Sequence, residues 1–335
     1  MANPGTPLEG VVIADHTILG PGPYATELLA RLGARVIKLE APGGDPARRI
    51  PGLWNAFNGD KESALCDLRS DEGRALALAV AARADAFVNS WRPGVAERLG
   101  LGAPALLALN PAIVHCTLTG FGSTGPLRAR PGHELNYLAA SGALTGIMGE
   151  SLDYPGLPIG DTAAGMFAAL RIVSAILSAR TTGIGGEIEV SVAGVLSEFA
   201  SIGASADDSI VSAKVVNPAY GVFLTADDRR VVLGVLDEQP FWDALCDALG
   251  LENLRPLTPA EYIPRAEELR PLVAAAVGRH TLADLERLFE PHANIPWNTV
   301  EAADAVDIPF GVPQAERRPP DLDADGDRIR AEFLA

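Results

Sequence analysis

Two residues in the stretch 131–166 have the chemistry to move a proton. They are His133, in PGHELNYLA, and Asp161, in GLPIGDTAAGM. Each opens an apolar run of helical character and so is expected at a helix mouth. There, unpaired backbone N–H groups and a partial positive charge favour negative charge nearby. A free imidazole titrates at about pH 6.5 and serves as acid or base near neutrality. An aspartate can be an acid there only if burial or neighbouring carboxylates raise its pKa. The spacing permits the pair to meet. A helix over 134–148 runs out roughly 22 Å at about 1.5 Å per residue, and the connection 149–160 can span roughly 40 Å at about 3.3 Å per residue. Taken singly, a helix-capping aspartate or a lone histidine is usually structural.

The elements that must hold these residues alternate between strand and helix. GVVIA (10–14) reads as a buried strand. A Gly/Pro turn follows, then a helix over about 23–32 with Tyr24, Leu28, Leu29 and Leu32 on one face. Gly33 ends that helix, and a second strand covers 34–40. Further strands are expected over 63–68, 85–91 and 112–118. Such alternation with short links predicts a doubly wound α/β domain with a parallel sheet. GPGPYA (20–25) has the outline of a dinucleotide fingerprint, with Glu40 closing the second strand. However, Pro21 and Pro23 remove backbone donors where a pyrophosphate would sit. The better reading is a turn shaped for close strand–helix packing.

Downstream, a long apolar helix (162–180) leads to the strand EIEVSVAG and another helix. A polar run from 201 reads as a linker, and AYGVFLTADDRRVVLGVL as a hairpin turning at 226–229. Helices are expected over 238–249, 260–277, 282–289 and 300–305. The division is a large α/β domain (1–200, completed by an extended tail, 306–335), a linker (201–219) and a smaller α+β domain (220–305). Acids outnumber bases 43 to 27, for a net charge of −16. That argues against a nucleic-acid or anionic-membrane surface, which needs clustered Lys and Arg. Cys66, Cys116 and Cys246 are odd in number and lack metal spacing, pointing to a reducing, cytoplasmic setting. The N-terminus has no signal pattern, and no apolar run reaches membrane length without an interrupting Gly or charge.

The ordered segments GPGPYATELLARLGARVIKLEAPGGDPAR, SALCDLRSDEGRALALAVAARADAFVNSWRPGVAERLGL, NPAIVHCTLTGFGSTGP, PGHELNYLA, GDTAAGM and TTGIGGEIEVSV resemble the class III CoA-transferase (CaiB/BaiF) family, which includes the α-methylacyl-CoA racemases. The resemblance covers nearly the whole chain. It implies an acyl-CoA substrate, coenzyme A as part of that substrate with no prosthetic group or metal, and an interlocked homodimer of ring-shaped subunits. In the transferase branch, the aspartate matching Asp161 is a nucleophile that carries acyl and CoA groups in turn. In the racemase branch, a histidine and that aspartate work from opposite faces of the thioester α-carbon. GHELNY here has the racemase histidine, with Glu134 in place of the usual aspartate, whereas GDTAAGM is closer to the transferase form. The histidine weighs more, since it supplies a second base that a transferase does not need. The resemblance also places Glu238, before Phe241 and Trp242, in the racemase hydrogen-bond network. It puts Leu19, Gly132, Asn136 and Tyr137 along the substrate pocket. For the CoA phosphates it points to Lys38, Arg92 and Arg98, with Arg48 and Lys61 as further candidates; Asp60 stands where the family commonly has a cation. The expected reaction is racemisation at C2 of a 2-methylacyl-CoA, with backbone N–H groups at the helix mouth binding the enolate oxygen. The alternatives are CoA transfer through Asp161 and a non-catalytic binding subunit.

Overall fold

The apolar runs of the first half form a fully parallel, six-stranded sheet in the order β3-β2-β1-β4-β5-β6. A computed structural model describes residues 6–148, 156–205, 217–300 and 318–335. The strands are β1 (Val12–His16), β2 (Arg35–Glu40), β3 (Glu62–Leu65), β4 (Ala86–Asn89), β5 (Val114–Thr119) and β6 (Gly186–Ser191). Their side chains alternate between two apolar layers. Ile13, Val36, Ala86 and Val88 face one layer; Ala14, Ile37, Leu39 and Phe87 face the other. A sheet buried on both faces requires such continuous apolar strands.

Helices cover both faces. They are α1 (Pro21–Arg31), α2 (Pro51–Phe57), α3 (Asp71–Ala81), α4 (Val95–Arg98), α5 (Ala103–Leu109), α6 (Glu134–Ser141), α7 (Ala143–Met148), α8 (Ile159–Thr182) and α9 (Val192–Ser205). α1 and α8 cover the first layer. Gly165 of α8 lets them approach closely, since a Cβ there would lie 2.8 Å from Pro21 O. The turn before α1 is a packing turn, as expected: a Cβ on Gly22 would collide with Thr17. The face of α1 that is fully buried is Gly22, Ala25, Thr26 and Leu29, whereas Leu28 and Leu32 are only partly covered.

Three expectations change. The single helix over 134–148 is broken at Gly142, whose φ of 82° ends α6 and starts α7. α8 begins at Ile159, so Asp161 lies within its first turn rather than ahead of it. The C-terminal tail is not simply extended. Its last residues form α14 (Gly326–Leu334), which buries Ile329 and Phe333 in the second layer. Just before it, Asp325 and Asp323 accept hydrogen bonds from Ser63 N and Leu65 N of the edge strand β3. Those acids occupy donors that would otherwise invite another strand.

The chain divides into two compact units, 1–201 with 311–335, and 202–310. In the second unit, β7 (Tyr220–Leu224) and β8 (Arg230–Gly234) form the expected hairpin, and β9 (Trp297–Thr299), not foreseen from sequence, adds a third antiparallel strand. α10 (Gln239–Leu249), α11 (Pro259–Tyr262), α12 (Ala266–Val277) and α13 (Leu282–Phe289) complete it. The helix expected over 260–277 is thus two helices. The core holds Trp242 stacked on Tyr262, ring centroids 4.3 Å apart. The expected linker lies mostly outside the described residues, as does 301–305, and 201–205 continue α9.

Candidate active site

Strand order reverses at β1, with β2 and β3 to one side and β4 and β5 to the other. Loops leaving the carboxyl ends of β1 and β4 therefore diverge and open a crevice, the place where doubly wound sheets bind ligands. A cavity of about 520 Å³ occupies it. It is lined by Ile18–Pro21 after β1, Ser90–Pro93 after β4 and, at the end of β5 and just beyond it, Leu118–Phe121. The mouths of α6 and α8 close it with His133 and Asp161. The two proton-moving residues therefore share one cavity, and Leu19, Gly132, Asn136 and Tyr137 line it with them.

Local geometry holds each in place. His133 is the N-cap of α6 and is exposed; its backbone N–H donates to Asn136 Oδ1 at 2.9 Å. The Tyr137 hydroxyl donates to Gly132 O, and a Cβ on Gly120 would collide with the Tyr137 ring. Leu19 adopts φ 64°, an uncommon backbone state for a non-glycine residue. Its N–H is tied to Asp45 Oδ1 at 3.1 Å. Gly20 leaves room for Asp161, since any Cβ there would collide with the Asp161 carboxylate.

The α8 mouth is already filled. Glu134, buried at the start of α6, accepts from Gly160 N at 2.7 Å and from Asp161 N at 2.9 Å, one carboxylate oxygen to each. Ile159 N and Thr162 N donate to Leu157 O and Pro158 O. All four N–H groups of this mouth therefore have acceptors already, which leaves the mouth of α6 for the expected enolate oxygen. Burial and, next, the Glu134 charge push the Asp161 carboxyl up to about 7. Burial and the Asp161 carboxylate likewise raise the Tyr137 phenol.

The cations sort differently from what the sequence predicts. Lys38 is fully buried, donating to Thr17 O and pairing with Asp45, both at 2.9 Å. Lys61 is sealed among Asp15, Pro23 O, Thr26 and Asn58. Neither ammonium reaches the surface, so neither is a phosphate contact in this geometry. Arg48 is paired with Glu40 and lies over Trp54, 3.9 Å from the ring centroid. Arg98 is exposed on α4 but does not line the cavity. Arg92 does line it, joined by Arg128 and Arg130. Glu238 belongs to the second unit, where it precedes α10 and accepts from Leu236 N at 3.0 Å.

Residues 8–310 match CoA-transferase family III. The chain belongs to that family.

Family III relatives divide between two activities. An acyl-CoA transferase of Fusarium pseudograminearum is 31% identical, over 93% of this chain and 74% of its own length. The α subunit of a succinyl-CoA–L-malate CoA-transferase from Chloroflexus aurantiacus is 34% identical over 69% of this chain. The match spans only 55% of that subunit. Human α-methylacyl-CoA racemase is 30% identical over 73% of this chain and 65% of its own length. Among solved structures, Rv3272 of Mycobacterium tuberculosis superposes with a TM-score of 0.83 at 26% identity, covering 98% of this chain and 100% of that one. This family III chain is thus an enzyme-family member of the CoA-transferase and racemase group. Two features are missed when the residues are read from sequence alone. Arg128 and Arg130 stand in plain view, as a basic pair just before His133 in an acidic protein. The Glu134 clamp has no such signal, because its partners lie 26 and 27 residues away.

Proposed function

We propose that this enzyme interconverts the C2 configuration of a 2-methyl-branched acyl-CoA. The observation that carries the reading is one cavity lined by both His133 and Asp161, with Asp161 pushed up to about 7. An acid poised near the working pH suits proton donation and return. In one direction the neutral His133 imidazole takes the C2 proton, and the bonding pair moves into the thioester as an enolate. Protonated Asp161 then delivers its proton to the opposite face. The reverse direction starts from ionised Asp161 and protonated His133. One C–H bond breaks and one forms, so no co-reactant is needed. Asn136 keeps its Oδ1 on the His133 N–H, which leaves its Nδ2 as a donor within the cavity. Arg92, Arg128 and Arg130 are the cations that would meet the CoA phosphates, local positive charge in a chain of net −16.

The test is incubation of a single 2-methylacyl-CoA enantiomer in D2O. Deuterium entering C2 together with loss of optical purity supports the reading; retention of both the C2 proton and the configuration contradicts it. The second reading, CoA transfer between carboxylic acids through Asp161, is favoured by the transferase names of several relatives. It predicts dependence on a free acid acceptor and an acyl-enzyme trapped by hydroxylamine.

A further inference from the structure

We propose that Glu134 is a positioning residue that sets the proton affinity of Asp161 by occupying the N-terminus of α8. Asp161 is the third residue of a 24-residue helix. A carboxylate there ordinarily gains from the unpaired N–H groups and the positive end of the helix dipole. Here the Glu134 carboxylate has taken the Gly160 and Asp161 N–H groups, at 2.7 and 2.9 Å. It does so while buried at 8% exposure, so solvent does little to screen its charge from the neighbouring carboxyl. The helix end is thereby converted from a site that favours a second anion into one that opposes it. This lies beyond the acid-base pair itself and deepens the proposed role of Asp161, on which it rests.

The other charged or titratable groups around the cavity are His133 and Tyr137 from α6, Arg92 from the loop after β4, and Arg128 and Arg130 from the segment after β5. Arg92 acts on the Tyr137 phenol, whose pKa it lowers, whereas the Asp161 carboxyl is set by its burial and by the Glu134 charge. Gly20 packs directly on the Asp161 carboxylate and brings no charge. Glu134 also joins the two proton-moving residues mechanically. It follows His133 in sequence and holds the backbone of Asp161, so one side chain fixes the start of α8 relative to the start of α6.

The test is a carbon-13 carboxyl titration of full-length protein without substrate, with Asp161→Asn used to assign the Asp161 resonance. The wild-type resonance is expected to titrate near 7. In Glu134→Gln, which can still accept one backbone N–H but has no charge, the midpoint should fall by about one pH unit or more, at least tenfold in proton affinity. Glu134→Asp retains the charge and should stay near the wild-type midpoint; it also serves if the glutamine variant does not fold. An unchanged midpoint in Glu134→Gln overturns the proposal. So does a fall in Glu134→Asp as large as that expected for the glutamine variant, because geometry rather than charge would then be the cause. The titration needs no turnover, so its outcome is separate from that of the isomerase assay.

Discussion

At the scale of single residues, the raised Asp161 carboxyl has a consequence for stability. Its pKa moves from 3.8 to about 7 on folding, so the folded state binds this proton more tightly than the unfolded chain. The contribution is fully present below about pH 4 and is lost as pH rises through 7, at about 1.4 kcal/mol for each pH unit crossed. Asp161→Asn should therefore gain stability relative to wild type between pH 4 and 7 and hold that gain above 7. Denaturant melts at pH 4.5 and pH 8 check this, and an equal effect at both would contradict the raised pKa. The same variant should lower turnover by about 10²- to 10⁴-fold, the usual contribution of a positioned acid or base. His133→Asn should lower isomerisation by a similar factor. Under the transferase reading it would leave turnover nearly intact, which makes it the sharper of the two kinetic variants.

The buried lysines belong to the same scale. Lysine reads from sequence as a surface or phosphate-binding residue, and nothing near Lys61 in the chain reveals that Asp15, 46 residues away, waits for it. Burial opposes the Asp15 charge, but Lys61, Lys38 and the hydroxyls of Thr17 and Thr26 together outweigh it and hold the carboxyl below its usual range. Lys61→Met would leave that carboxylate buried and short of its partner, at a cost of about 3–5 kcal/mol. Its effect on KM for acyl-CoA should be below about twofold, since no direct phosphate contact is lost. Arg130→Ala should do the opposite. It should raise KM about 10- to 100-fold, the value of a charge-assisted hydrogen bond, while leaving stability nearly unchanged. Chemical denaturation and steady-state kinetics on the two variants separate the roles.

Among elements, the site depends on how closely α1 and α8 approach. A Cβ at Gly165 would meet Pro21 O and Tyr24 at 2.8 Å, so Gly165→Ala must push α8 outward at the level of Asp161. The expected cost is about 1–3 kcal/mol, with a fall in kcat larger than that of a distant surface alanine; thermal melts and kcat together check it. The parallel sheet is legible because a strand buried on both faces needs adjacent apolar residues, and ARVIKLE and DAFVNSW supply them at Val36-Ile37 and Phe87-Val88 between short strand–helix links. Strand ends differ from the expected ones by up to three residues, the most at the end of β3. The break at Gly142 has a local cause, a glycine at positive φ that stops α6. The start of α8 goes instead with Glu134 holding the Gly160 and Asp161 N–H groups from the neighbouring helix, a contact that local pattern does not encode. β9 was missed for a related reason, since three residues carry too little alternation to announce a strand.

At the scale of the molecule, the proposed acyl-CoA substrate is anionic, so a chain of net −16 would need a local cluster of arginine to hold it. That predicts a KM that rises with ionic strength, as screening lengths fall to about 10 Å at 0.1 M. α8 is the one described helix long and apolar enough to cross a membrane, yet it packs on α1 and the sheet. Its outer face exposes Met166, Phe167, Leu170 and Leu177. The family resemblance implies an interlocked homodimer, so sedimentation should report two chains, and a mass of one chain would contradict that expectation.

An isomerase of this kind needs an imidazole and a carboxyl reaching the same carbon from two sides. A crystal structure with a 2-methylacyl-CoA bound measures this directly. The expected result is a His133 nitrogen and an Asp161 oxygen each within about 3.5 Å of C2, on opposite faces. Asp161 set instead against the thioester carbonyl carbon, with His133 remote from C2, would contradict it.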